Sequence, residues 1–101
     1  MSDNHLKDMF VDGPLALDNA VSVEAARHKG IGGPVAGIAD ILVAPNLQVG
    51  NALTKSLVYF ARREVAAAVM GTSKPLVMTS RSDTVEDKLL TIALALYISG
   101  R

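Results

Sequence analysis

The chain reads as an α/β domain, a mostly parallel sheet with flanking helices, and three observations predict it. Short apolar runs alternate with longer stretches of helical spacing. One run, "ADILVAP", is apolar almost throughout and closed by Pro45, as in a strand buried on both faces. Two more, "VAAAVMG" and "KPLVMTS", lie so close together that only an antiparallel neighbour pair can join them. The predicted order is strand, helix, strand, helix, strand, strand, helix.

Each element has its own reason. "MFVDGPL" is a short apolar piece ending at a Gly-Pro break, a strand or strand end. "LDNAVSVEAARHKG" reads as one helix: Asp18 or Asn19 caps it, Ala20, Val23 and Arg27 follow at helical spacing, and Gly30 stops it. "GIGGPVAG" is a loop before the buried strand. "GNALTKSLVYFARRE" is the second helix, with Leu53, Leu57, Phe60 and Ala61 on one face and Lys55, Arg62 and Arg63 off it. The last helix spans Thr84 to Ile98 and is apolar nearly all round after Lys88, which predicts burial on more than one side.

Composition bounds the function. A length of 101 residues suits one domain, and a hydrophobic fraction of 50% predicts a packed core. The net charge is zero and there is no basic stripe, which argues against a nucleic-acid partner. Without cysteine there is no disulfide and no thiolate metal site, and a cytoplasmic protein fits. "MSDNHLKDMFVDG" does not read as a signal peptide. The longest apolar run, "LLTIALALYI", is about half of a membrane span, so no membrane partner is expected. The apolar fraction is high for so small a chain, which predicts that a partner chain or a missing domain covers part of the surface.

The polar chemistry concentrates in "TSRSDTVEDK". Asp83 can cap the last helix, with Glu86 closing a capping box. That explains the two acids but not Ser80 and Arg81, which follow a predicted strand and precede a helix, where α/β sheets bind ligands. A helix start offers free N–H groups to an anion, and the Arg81 guanidinium adds a charge and a planar fork suited to phosphate. Together they predict a positively biased pocket around Arg81. Asp87 lies one turn inside the helix, within reach of the pocket mouth. Ser80 has no histidine close in sequence and is read as a hydrogen-bond donor, not a nucleophile. "VGNALTK" opens a helix with Asn51 as a cap and Lys55 one turn on; it is a simple cap or a second anion contact. "KGIGGPVAG" runs into a strand and lacks phosphate-loop geometry. His5 and His28 have no partner at metal-ligand spacing, so no metal is expected. The adjacent Arg62 and Arg63 suit a helix carboxyl end.

The segments "DGPLALDNAVS", "GPVAGIADILVAPNLQVGNALTKSLVYF", "KPLVMTSRSDTVEDK" and "IALA" resemble the phosphate acetyl/butyryltransferase family, in that family's order and over nearly the whole chain. "LDNAVS" is similar to the butyryl branch, and "SR" followed by "VED" to the acetyl branch. The resemblance implies the reaction acyl-CoA plus phosphate to acyl phosphate plus coenzyme A, with coenzyme A as a substrate, no bound cofactor and no metal. It implies a fold like that of isocitrate and isopropylmalate dehydrogenases and a homodimer. By the same resemblance Ser80 and Arg81 contact the phosphate and the charge developing on the acyl carbonyl. Asp87 handles the coenzyme thiol proton, and Gly50 and Asn51 bind substrate at the cleft edge. For Asp87 to act as a base rather than to orient the thiol, it must be buried. Family members are far longer, so residues 1–101 are expected to be a carboxyl-terminal segment whose amino-terminal domain is absent. On that basis the isolated chain is expected to be inactive or very weak. The competing expectation is a noncatalytic α/β module that dimerises or binds a phosphorylated metabolite.

Overall fold

The computed structural model describes residues 7–100 and contains four helices and no named strand among them. The chain divides into two compact units, Met1–Val43 and Ala44–Arg101. The expected parallel sheet, and with it the dehydrogenase-like framework, is therefore corrected. The one β pairing among the described residues is an isolated antiparallel bridge between Val69 and Leu76. A strand exists only through a ladder of hydrogen bonds to a neighbour. "MFVDGPL" and "ADILVAP" have strand-like composition but no such neighbour, and their large side chains lie open, with Phe10 77% and Val43 91% exposed.

In the first unit the single predicted helix is two, α1 (Leu17–Val21) and α2 (Val23–His28). Ser22 divides them. Its backbone is extended, its N–H donates to the Asp18 carbonyl and closes α1, and its Oγ accepts from Ala25 N–H at 3.1 Å and opens α2. Serine competes in this way with continuous helix, and the valines on either side lower helix propensity further. Asp18 is inside α1, not its cap. The peptide between Gly13 and Pro14 is cis. Gly37 has φ +86°, and a Cβ there would lie 2.6 Å from the Val23 Cα. Only glycine brings the loop that close, which lets Gly37 N–H reach the Asn19 carbonyl at 2.7 Å and Ala39 N–H the Ala20 carbonyl at 3.0 Å. Asn19 is buried beneath this crossing, and its Oδ1 has no partner among the described residues.

Lys29 donates to Asp18 Oδ2 at 2.7 Å across the unit, with both side chains half exposed. That hydrogen bond, more than any other influence, holds the Asp18 carboxyl below its ordinary value of 3.8. A lowered carboxyl favours the folded state above the unfolded value, and the benefit fades as pH falls through the folded one. Followed by carbon-detected NMR, Asp18 therefore titrates with a midpoint below 3.8, and Lys29→Met or high salt moves the midpoint upward. An unchanged midpoint in the Lys29 variant contradicts this.

In the second unit α3 (Leu47–Tyr59) starts earlier than the sequence suggests. Asn46, not Asn51, is its cap, accepting from Val49 N–H at 2.9 Å. The helix ends before Arg62 and Arg63, and Arg62 takes a positive φ of 54°. Phe60 is exposed rather than on the expected buried face, and no residue of α3 is fully buried. The two apolar runs after it do meet antiparallel, but through one pair only: Val69 and Leu76 exchange hydrogen bonds of 2.9 and 3.0 Å. Pro75 removes the N–H beside that pair, and the Thr72 hydroxyl bonds the Lys74 carbonyl in the connecting turn.

α4 (Val85–Ser99) buries one narrow face, Asp87, Thr91 and Ala95, while Leu89, Ile92 and Leu96 lie exposed. The expectation of burial on several sides is thus corrected. This face does what a neighbouring strand would otherwise do. Asp87 Oδ1 accepts from Val65 N–H at 3.4 Å, and Thr91 Oγ1 from Ala67 N–H at 3.3 Å. Side chains four apart on the helix thus match N–H groups two apart on extended chain. The buried apolar residues of the described chain are alanines (Ala20, Ala26 and Ala95), and no large side chain is fully buried. Among the described residues no helix is long and apolar enough to cross a membrane.

Candidate active site

The turn before α4 is built from its own side chains. Asp83 N–H donates to the Ser80 carbonyl at 3.1 Å, and Ser80 N–H donates to Asp83 Oδ2 at 2.8 Å, closing a small reciprocal ring. The Ser80 and Ser82 hydroxyls are 3.1 Å apart, and Ser82 N–H donates to Ser80 Oγ at 3.3 Å. Thr84, not Asp83, caps α4: its Oγ1 accepts from Asp87 N–H at 3.1 Å. The Thr-x-x-Asp spacing was there to be read, one residue beyond the predicted Asp83 cap. The Asp87 carboxylate does not complete the capping box; it turns inward to Val65.

This turn, α3 and α4 surround a cavity of about 400 Å³ within the second unit. Helix α3 contributes Gly50, Asn51 and Lys55; the turn contributes Ser80 and Asp83; α4 contributes Asp87 and Thr91. Gly50 is inside the helix, where glycine costs about 1 kcal/mol against alanine. A Cβ there would stand 3.4 Å from that of Ala44, at the near edge of ordinary van der Waals contact. Asp87 is only 7% exposed.

Four of the five predicted site residues, Ser80, Asp87, Gly50 and Asn51, line this one cavity. Arg81 is not part of the lining; its side chain is exposed and makes no ion pair among the described residues. The cation in the lining is Lys55, set against the carboxylates of Asp83 and Asp87. Lys55 Nζ is 3.4 Å from Ser82 Oγ and 3.9 Å from Asp83 Oδ1. The part of Ser82, which bridges Lys55 to Ser80, had no separate signal in the sequence. His28 is exposed in the last turn of α2, and no group of metal-ligating side chains occurs among the described residues. His5 lies outside the described residues.

Comparison with known proteins adds an independent line. The family model described as phosphate acetyl/butaryl transferase matches residues 1–96. The phosphate butyryltransferase of Clostridium beijerinckii is 48% identical over 102 aligned positions, covering 100% of this chain and 34% of that protein. The phosphate acetyltransferase of Thermotoga maritima is 50% identical over 90, covering 89% of this chain and 31% of that one. Among solved structures, a branched-chain phosphotransacylase from Enterococcus faecalis V583 superposes with a TM-score of 0.79 at 46% identity, over 91% of this chain and 36% of the other. The chain thus spans about a third of the length of the curated relatives it matches.

Proposed function

The chain belongs to the phosphate acetyl/butaryl transferase family, and on that footing we propose that it forms one wall of a phosphate acyltransferase site. The reaction is acyl-CoA plus phosphate to acyl phosphate plus coenzyme A. One observation carries the reading: Ser80 and Asp87, the residues matching the family's serine and aspartate, line a single cavity. A phosphate oxygen attacks the thioester carbonyl carbon, the carbon–sulfur bond breaks, and the thiolate leaves with a proton. Negative charge grows on the carbonyl oxygen, where a hydroxyl donor and an arginine stabilise it. Ser80 Oγ supplies the donor. Arg81, exposed beside it, supplies the charge once the substrate phosphate draws its guanidinium inward. Asp87 exchanges the thiol proton, taking it when acyl phosphate is the acyl donor and returning it in the forward direction. Gly50 and Asn51 border the substrate on α3. Coenzyme A enters as a substrate, and soluble metabolites of this kind fit a cytoplasmic enzyme.

The other wall comes from the remaining length of the family polypeptide, with a homodimer as the accompanying assembly. The chain is then a carboxyl-terminal segment. Its core of alanines and its open leucines, isoleucines and phenylalanines support this, because so little burial offsets chain entropy poorly.

The experiment is a chimera in which the chain replaces the matching segment of the Clostridium beijerinckii phosphate butyryltransferase. The isolated chain, given coenzyme A and acyl phosphate, forms no acyl-CoA, whereas the chimera does. A folded, inactive chimera would sink the acyltransferase reading and favour a noncatalytic module that binds a phosphorylated metabolite.

A further inference from the structure

We propose that Lys55 is the residue that receives the phosphate anion in the cavity between α3 and α4, its ammonium held at the Ser80 turn by Ser82 and Asp83. The proposal deepens the acyl-transfer reading and rests on it for the identity of the anion as the phosphate substrate.

The charges in the cavity require such a residue. Its lining holds two carboxylates, Asp83 and Asp87. A phosphate dianion entering beside them meets the repulsion of both. Lys55 is the cation of the lining, and Arg81 stands outside it. An anion inside the cavity is therefore neutralised first by Lys55.

The position of the ammonium fits the task. It is 3.4 Å from Ser82 Oγ and 3.9 Å from Asp83 Oδ1, contacts long enough to orient it without saturating its three N–H donors. Ser82 Oγ is in turn 3.1 Å from Ser80 Oγ. Lys55 and Ser80 line the cavity, and Ser82, outside the lining, links the ammonium to the Ser80 hydroxyl; phosphate oxygens accept from an ammonium and a hydroxyl placed in this way. Asp83 keeps its charge but does not occupy the ammonium fully: its Oδ2 accepts from Ser80 N–H at 2.8 Å, and its Oδ1 stands 3.9 Å from Lys55 Nζ, near the limit of ion pairing. Lys55 also sits well inside a capped helix, so its Cα is positioned by α3 while its flexible stem lets the charge follow the ligand.

The alternative is that Lys55 only clamps the turn, and the test separates the two. Inorganic phosphate is titrated into the chain while the Ser80 and Ser82 amides and the lysine ammonium signals are followed by NMR. In the unaltered chain these signals move together and saturate. Lys55→Met keeps the aliphatic stem and weakens phosphate binding about tenfold or more, the loss of one charge-assisted hydrogen bond. Lys55→Arg recovers most of it. In the chimera Lys55→Met raises KM for phosphate by a similar factor and leaves KM for acyl-CoA unchanged. The proposal is overturned if the chain shows no saturable phosphate binding. It is equally overturned if Lys55→Met shifts the turn amides without phosphate yet leaves phosphate affinity within about twofold, the mark of a clamp. Because the titration needs no turnover, an inactive chimera with Lys55-dependent phosphate binding sinks the acyltransferase reading alone. An active chimera whose phosphate KM ignores Lys55 sinks the Lys55 proposal alone.

Discussion

Arg81→Ala lowers kcat for acyl transfer in the chimera by about 10²–10³, the cost of losing one donor to a developing oxyanion. The side chain is exposed and has no ion pair among the described residues, so its removal changes stability by no more than about 0.5 kcal/mol. Nearly all of the effect is then chemical. Arg81→Lys restores only part of the rate, because a point charge cannot present the planar fork that grips two oxygens at once. The two cations of this region should also separate kinetically. Lys55 inside the cavity acts on phosphate binding, whereas Arg81, reaching in from outside, acts on the rate. Should Arg81→Ala leave kcat within about threefold, the arginine has no part in the transition state. The noncatalytic module then becomes the better account of the exposed guanidinium.

Asp87 carries the second large effect, and two substitutions divide it. Its Oδ1 accepts from Val65 N–H, and the residue is buried. Asp87→Ala strands that N–H and destabilises the second unit by about 1–3 kcal/mol, read from denaturant unfolding. Asp87→Asn keeps an oxygen acceptor for Val65 and costs far less, but it cannot take a proton. In the chimera the asparagine variant therefore loses about 10²–10⁴ in kcat while the fold persists. If instead Asp87→Asn matches the parent rate and only Asp87→Ala fails, the aspartate is a structural tie between α4 and the 65–67 segment and does no proton transfer.

Part of the cavity lining coincides with residues that the sequence alone singles out. Ser80, Asp87, Gly50 and Asn51 were singled out from spacing and resemblance, and they line one cavity. The start of α4 was placed within one residue, though on an Asp83–Glu86 capping box where the cap is Thr84. Less visible were the facts that depend on a second segment of chain. Asn46 outcompeted Asn51 as the cap of α3 because it stands before the whole helical stretch, directly after Pro45. Ser22 cut one apolar-periodic helix into two through a side-chain bond that periodicity does not register. The cation facing the cavity proved to be Lys55 while Arg81 stayed outside, since which of two basic residues turns inward depends on the packing of α3 against the turn.

What the amino-acid order determined on its own was local: capped helices, a polar turn crowded with chemistry, an antiparallel meeting of two apolar runs, and kinship with a family of acyltransferases. The tertiary structure alone decided that the valine- and isoleucine-rich runs form no sheet among the described residues and that Asp87 and Thr91 bind the 65–67 backbone in place of a strand. The physical reason is the range of the interactions. Caps and turns are satisfied within a few residues of chain, whereas a ladder needs a distant partner that composition cannot supply.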